Sequence, residues 1–410
     1  MTFPKKPQLL YAPMLGTLGG GSMRSFGRGT GGGSLFDFET VWLQPDIAIN
    51  VNTGRSGLNG LNNYKNPNTG APLNNLIAAT TVNPDTNDYY FAQHSSWTGK
   101  FQYIVPKTQT YNFELRGAQG RSNTSSGSAK GGRGAHIVGT LDLEKGDILV
   151  FVTGLVSPAA TDSGESGGGG GASYIYKQTS WDQTSSSVVP LAIAGGGGGA
   201  VGNSYGPYPG TDASNIAGGG FNTAPYGGSG VAVNTASGSG GLGGNGTNWI
   251  NHFGGASNLI PNTHAQHQAD NYALDGTSNI SIINTGEYNG AAGGGGFRVN
   301  GHPGYNSSVG GGRLDEYASG GSGNTTHNYG GFGGGGGGRN TSGGGGGGYI
   351  GGSGGNVNSN TWGATINADG AGGVGGSSYV NSTYGTLTSG GYGYATTHTT
   401  QRLGLVHFYL

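Results

Sequence analysis

Few residue groups in the chain have the types and spacing that chemistry requires. His264-Ala265-Gln266-His267, with His252 nearby, could offer imidazoles to a divalent metal. They sit in a polar stretch with no carboxylate close by, so they read as surface histidines, and no metal or other cofactor is expected. Asp315-Glu316 and Asp162…Glu165 are carboxylate pairs, the pairing a glycosidase sets across a scissile bond. Solvated turn residues explain both at least as well. The chain contains no HExxH helix motif, no kinase signature and no P-loop ending in lysine. Its glycine runs cannot cradle phosphate either, because no helix can start after them. The expectation is a protein that is not an enzyme.

Binding chemistry is better represented. Tyr205-Gly206-Pro207-Tyr208-Pro209, Tyr226, Trp249…Phe253, Tyr288, Tyr305 and Tyr329 lie among glycine, asparagine and serine. Paratopes use the same alphabet, with rigid aromatic anchors and small adaptable polar neighbours. Sugar rings stack on such aromatics while Asn and Asp supply hydrogen bonds. The alternative is that these rings cap glycine segments and fill a core. At the start of the chain, Leu9, Leu10, Tyr11, Met14 and Leu15 form a short apolar patch, and Arg24 and Arg28 fall between glycines. Residues 1–34 therefore read as an extended arm that docks on a partner, with terminal disorder as the plainer alternative.

The elements that must position these residues are unusual. Of 410 residues 95 are glycine, none is cysteine and only 9% are charged. Collagen fails, since there are 15 prolines and no sustained Gly-X-Y period. Disorder fits badly, because disordered chains are charged and poor in aromatics, whereas this one has 22 Tyr, 13 Phe and 5 Trp. A net charge of −1 argues against nucleic acid as a partner. Without cysteine there are no disulfides and no thiolate metal sites. No signal peptide and no membrane span is read.

Strand signals frame the chain. Val41-Trp42-Leu43 and Ile47–Val51 fall in residues 35–100, which read as a small β region or as strands added to the domain after it. From residue 101 the signals strengthen: 101–106, then 110–116, where Tyr111, Phe113 and Leu115 share one face. Further runs are 136–141, 148–152, 173–177 and 188–194, with a weak one at 377–380 and a strong terminal one at 403–410. Strands this short, separated by turns, imply an antiparallel sandwich completed by the last residues. The glycine-rich middle is then an insertion held by sheet at both ends.

Glycine runs recur at 167–171, 195–199, 293–296, 333–338 and 343–348. Such runs make no α-helix, since each glycine costs about 1 kcal/mol relative to alanine, and they give a strand no side chains to pack. They are flexible linkers or polyglycine II helices of three residues per turn, which lack internal hydrogen bonds and must bond to one another. Aromatic residues at run edges (Phe297, Tyr329, Phe332, Tyr349) and the flanking strands favour a packed bundle.

Phe332-(Gly)6-Arg339…Ser342-(Gly)6-Tyr349-Ile350-Gly351-Gly352 resembles the glycine-rich domain of the anaplastic lymphoma kinase and leukocyte tyrosine kinase receptors. Gly117-Ala118-Gln119-Gly120, Gly131-Gly132-Arg133-Gly134-Ala135, Gly167–Gly171 with Ala172-Ser173-Tyr174-Ile175, and Pro190–Ala194 with its five glycines agree in order. Over residues 101–410 the resemblance implies an all-β fold with little or no α-helix. Specifically, it implies a TNF-like antiparallel β-sandwich framing a bundle of polyglycine II helices. The receptors' cysteines, signal peptide, membrane helix and kinase domain have no counterpart here, so their activity is not carried over. Glycine-rich receptor-binding tips of bacteriophage tail fibres are similar as well. The expectation is a virion protein, a tail-fibre or host-recognition adhesin that binds host surface glycan or protein. It would join other virion proteins through the arm and form a homotrimer by analogy with fibres. A capsid decoration or connector is the alternative.

Overall fold

The computed structural model describes residues 40–45, 55–58, 64–65, 91–122, 130–157, 166–183, 188–203, 206–208, 210, 212–213, 291–298, 300–301, 303–304, 308–323, 328–339, 342–349, 351–352, 354, 372–373, 375–392 and 403–410. Among these residues the regular structure is β and no α-helix occurs. The strands are β1 (Thr40–Pro45), β2 (Tyr64–Lys65), β3 (Phe91–Gln93), β4 (Lys100–Ile104), β5 (Gln109–Arg116), β6 (Ala135–Leu143) and β7 (Ile148–Val152). They continue with β8 (Ser173–Gln178), β9 (Val189–Ala194), β10 (Val201–Asn203), β11 (Gly206–Tyr208), β12 (Tyr379–Val380), β13 (Gly385–Tyr392) and β14 (Leu405–Tyr409).

Two six-stranded antiparallel sheets form, with orders β13-β6-β5-β14-β1-β2 and β12-β9-β8-β7-β4-β3. A small β10–β11 hairpin stands apart from them. Alternation in β5 buries Tyr111, Phe113 and Leu115 and leaves Asn112, Glu114 and Arg116 half-buried on the other face. The terminal strand lies between β5 and β1, with Phe408 opposite both Phe113 and Val41. Its ring is the hub of the core. It stacks on Tyr111 at 4.9 Å within its own sheet and meets Phe151 at 5.3 Å and Tyr103 at 5.7 Å from the other. Residues 35–100 contribute β1 and β3, which pair with β14 and β4.

Glycine segments grow out of one end of this sandwich. They follow β5 at Gly117 and β9 at Gly195, and precede β6 at Gly134 and β8 at Gly171. Their hydrogen bonds do not follow a sheet ladder, in which a strand has only two neighbours. Residues 166–172 bond to four other segments through pairs of groups three residues apart, and singly to Leu155 and Gly331. Gly167 and Gly170 N–H donate to Ala200 and Gly197 O. Gly169 and Ala172 N–H donate to Gly336 and Gly333 O. Gly344 and Gly347 N–H donate to Gly167 and Gly170 O, and Arg121 and Ala118 N–H to Gly168 and Gly171 O. These paired contacts recur every third residue and turn toward successive neighbours. The two six-glycine runs pair with one another in the same way, through Gly336 N–H to Gly345 O and Arg339 N–H to Ser342 O.

The absent side chains set this geometry. Packed sheets stand about 10 Å apart because side chains fill the space between them. Once the side chains stop, the layers close to hydrogen-bonding distance. Ala135 N–H, entering β6 of one sheet, donates to Gly195 O, leaving β9 of the other, at 2.9 Å. A Cβ on Gly169 would land on the Gly345 carbonyl oxygen, and one on Gly346 on that of Gly196. Glycine is required there by close approach.

Candidate functional site

β8 has no polar face: Tyr174, Ile175 and Tyr176 are all fully buried. Ile175 turns to the core, so a further layer must cover the tyrosines. That layer is the turn Arg313–Ala318 of the glycine region together with Phe297, whose ring meets Tyr176 edge-on at 6.2 Å. The turn is closed by Ala318 N–H to Arg313 O (2.9 Å) and tied back by Leu314 N–H to Gly296 O and Asp315 N–H to Phe297 O.

Lys100, the first residue of β4, is sealed beneath it with no exposed surface. Its Nζ donates to Leu314 O at 2.9 Å and lies 3.3 Å from Tyr176 Oη. It also sits 4.3 Å from the centre of the Trp97 ring. Tyr174 Oη donates to the same Leu314 oxygen at 2.7 Å. Among the described residues no carboxylate approaches Nζ within salt-bridge distance. Asp315 is fully buried, but the Arg313 guanidinium holds it bidentately at 2.6 and 2.5 Å and reaches Glu316 at 3.2 Å. Burial pushes the Lys100 amine down to about 7, with Asp315 and Glu316 opposing it. Burial likewise raises the Tyr174 and Tyr176 phenols well above their ordinary value, so both stay neutral.

A polar network borders the lysine. Ser96 N–H donates to His94 Nδ1 at 3.1 Å, which puts the imidazole proton on Nε2, and Nε2 donates to Gln183 O at 3.1 Å. The ring stacks on Trp97 at 4.5 Å, and burial holds its pKa below the usual value. Asp182 accepts from Ser95 N–H at 2.9 Å and Gln102 Nε2 at 2.7 Å. Asp182 and Ala318 adopt positive φ (53° and 50°), a conformation that strains residues with a Cβ. Chemically the arrangement joins elements: the amine is nucleophilic when neutral, but no path from solvent reaches a group with no exposed surface.

A second cluster lies on the other sheet, facing away from the core. Glu114 receives the Arg116 guanidinium and lies 3.0 Å from His136 Nε2 and 3.6 Å from His407 Nδ1. These contacts, His136 foremost and His407 next, hold its carboxyl well below the usual range against the opposing effect of burial. His407 in turn stacks on Tyr409 at 4.2 Å.

Of the tyrosines and tryptophan predicted to bind ligand, Tyr329 is half-buried with the Arg55 guanidinium 5.3 Å above its ring. Tyr208 ends β11, opposite Val201. Tyr205, Tyr226, Trp249, Tyr288 and Tyr305 lie outside the described residues, as do His252, His264 and His267, Asp162 and Glu165, and the arm with Leu9, Leu10, Tyr11, Met14, Leu15, Arg24 and Arg28. The run-edge rings Phe297, Phe332 and Tyr349 are buried, and Tyr349 stacks on Tyr379 at 3.9 Å. The sequence alone did not single out Lys100, His94 or Trp97. The signal for them was β8, whose aromatic residues on what should be the solvent face called for a covering layer. No protein-family model matches the chain, and no curated protein matches it.

Proposed function

We propose that this chain is a non-enzymatic virion protein, a bacteriophage tail-fibre or host-recognition adhesin whose glycine segments are polyglycine II helices framed by a TNF-like sandwich. The observation that supports it most is the three-residue hydrogen-bond period, which makes the glycine region a stiff scaffold rather than a linker. Ala213 and Ala292, on either side of residues 214–290, are both hydrogen-bonded into that scaffold. The span between carries Tyr226, Trp249 and Tyr288 among Asn, Ser and Gly. Aromatic and amide residues in a stretch flanked on both sides by a rigid frame suit adsorption to surface glycan or protein, by stacking and hydrogen bonding. No bond need be made or broken, and the buried amine and tyrosines hold layers together. The same stiffness favours a second reading, a capsid decoration or connector, in which these residues touch neighbouring subunits.

Labelled full-length protein incubated with a panel of bacterial strains tests the choice. Saturable adsorption to some strains, reduced when residues 214–290 are replaced by a short Gly-Ser link, is the expected result. Adsorption to none of the strains, with the protein located on capsids by immunogold labelling, overturns the adhesin reading in favour of decoration.

A further inference from the structure

One buried amine fastens the glycine region to the outer face of the second sheet. We propose that Lys100 is a proton-operated latch: uncharged, it holds the Arg313–Ala318 turn against β4 and β8, and on taking up a proton it loosens that turn.

The cage around Nζ fits an amine better than an ammonium. A neutral amine has two N–H donors and one lone pair. Leu314 O accepts one donor at 2.9 Å and Tyr176 Oη accepts the other at 3.3 Å. Tyr174 already donates to Leu314 O, so that oxygen is shared between sheet residues from two strands. An ammonium brings a third N–H, and among the described residues no third oxygen accepts from Nζ. Only the faces of Trp97 and Tyr176 remain to meet the added charge.

The charged and titratable groups around it come from three elements. β8 supplies Tyr174 and Tyr176, both neutral. The 94–99 loop supplies His94, stacked on the same indole that faces Nζ, so that charge on the imidazole and on the amine disfavour one another. Asp182 lies beyond His94, 3.8 Å from Nδ1. The turn supplies Arg313, Asp315 and Glu316. Its two carboxylates favour the ammonium, but Arg313 engages both and weakens their field. Desolvation wins, and the closed latch binds its proton only near pH 7.

With the turn open, the amine returns to the ordinary lysine value of about 10.4. Between those limits the open form binds more protons, so opening becomes about tenfold more favourable for each pH unit of acidification. The effect is complete near pH 7, below which both forms carry the proton. His94, whose folded value is also lowered, adds a further loosening only below its unfolded value of about 6.5.

Hydrogen exchange of the full-length protein, read by mass spectrometry on peptides covering 312–318 and corrected for intrinsic exchange, tests the latch. Protection of the wild-type turn should fall about tenfold per pH unit from pH 9 to 7 and then level off. Lys100→Met, of similar volume without the titrating group, should give a flat profile. Should that variant fail to fold, lysine 13Cε resonances of the wild type carry the test, with Lys100 assigned by its loss in Lys100→Arg. Lys100 titrating near neutrality supports the latch. Titration with the other lysines above pH 10, or wild-type turn protection that ignores pH, overturns it.

Discussion

Glu114 illustrates how a single carboxylate organises the exposed side of a sheet. It faces Arg116 on its own strand, His136 on β6 and His407 on β14, so one charge bridges three adjacent strands. Its folded pKa is depressed, so the stabilisation is present above the unfolded value of about 4.3 and is lost as pH falls through the acid range. Glu114→Gln should cost about 1–3 kcal/mol at pH 7, since the Arg116 guanidinium loses its counter-charge and one carboxylate oxygen becomes an N–H donor among the imidazoles. Urea unfolding of both proteins measures this, and the gap between their midpoints should narrow steadily below pH 4. A gap unchanged at pH 3 would show that shape, not charge, matters at this position. Nothing in the sequence singled out Glu114, because a Glu alternating with apolar residues looks like any solvent-facing strand position. Its partners are brought together only by the pairing of Arg116 with His136 and of His407 with Glu114.

Among the elements, legibility followed side-chain pattern. Strands with strong apolar or alternating residues (β4 to β9 and β14) were readable because burial of one or both faces dictates them. β13 was not, since Gly385–Tyr392 reads GTLTSGGY and carries a bulge between Leu387 and Ser389. It forms because β6 offers an unpaired edge, a tertiary cause that local sequence does not encode. The glycine segments were legible in composition, but their neighbours were not, because a residue without a side chain carries no pattern to say what it touches. Two glycines separate the reasons a glycine is needed. Gly146 has φ of +93° with nothing within 4 Å of a Cβ position, so its requirement is conformational and local. Gly146→Asn should cost no more than about 1 kcal/mol, Asn being tolerant of positive φ. Gly169 has no room, because a methyl there overlaps the Gly345 carbonyl. Gly169→Ala should cost roughly 3 kcal/mol or more, as overpacking against backbone that cannot step aside. Thermal unfolding of the pair distinguishes a packed array from slack chain; two equally mild substitutions would rule out close packing at Gly169.

On the scale of the whole molecule, the sandwich and the glycine array share their backbone. β5, β6, β8 and β9 run directly into glycine segments, and Ala135 and Ala118 bond across what were two separate sheets, to Gly195 and Gly197. Ordering each glycine costs about 1–2 kcal/mol of backbone entropy, and the array has little apolar surface to offset it. Its order must therefore depend on the aromatic core beside it, which meets at Phe408. Phe408→Ala should destabilise the protein by about 3–5 kcal/mol, the usual loss for a buried phenylalanine. The informative measurement is where that loss appears. If core and array are one cooperative unit, amides of Gly169, Gly170 and Gly336, far along the chain from the substitution, should lose hydrogen-exchange protection by the same factor as those of β5. If instead the array kept its protection while β5 lost its own, the glycine segments would be stabilised by their lateral bonds alone. The sandwich would then be an attached domain rather than the frame that orders them.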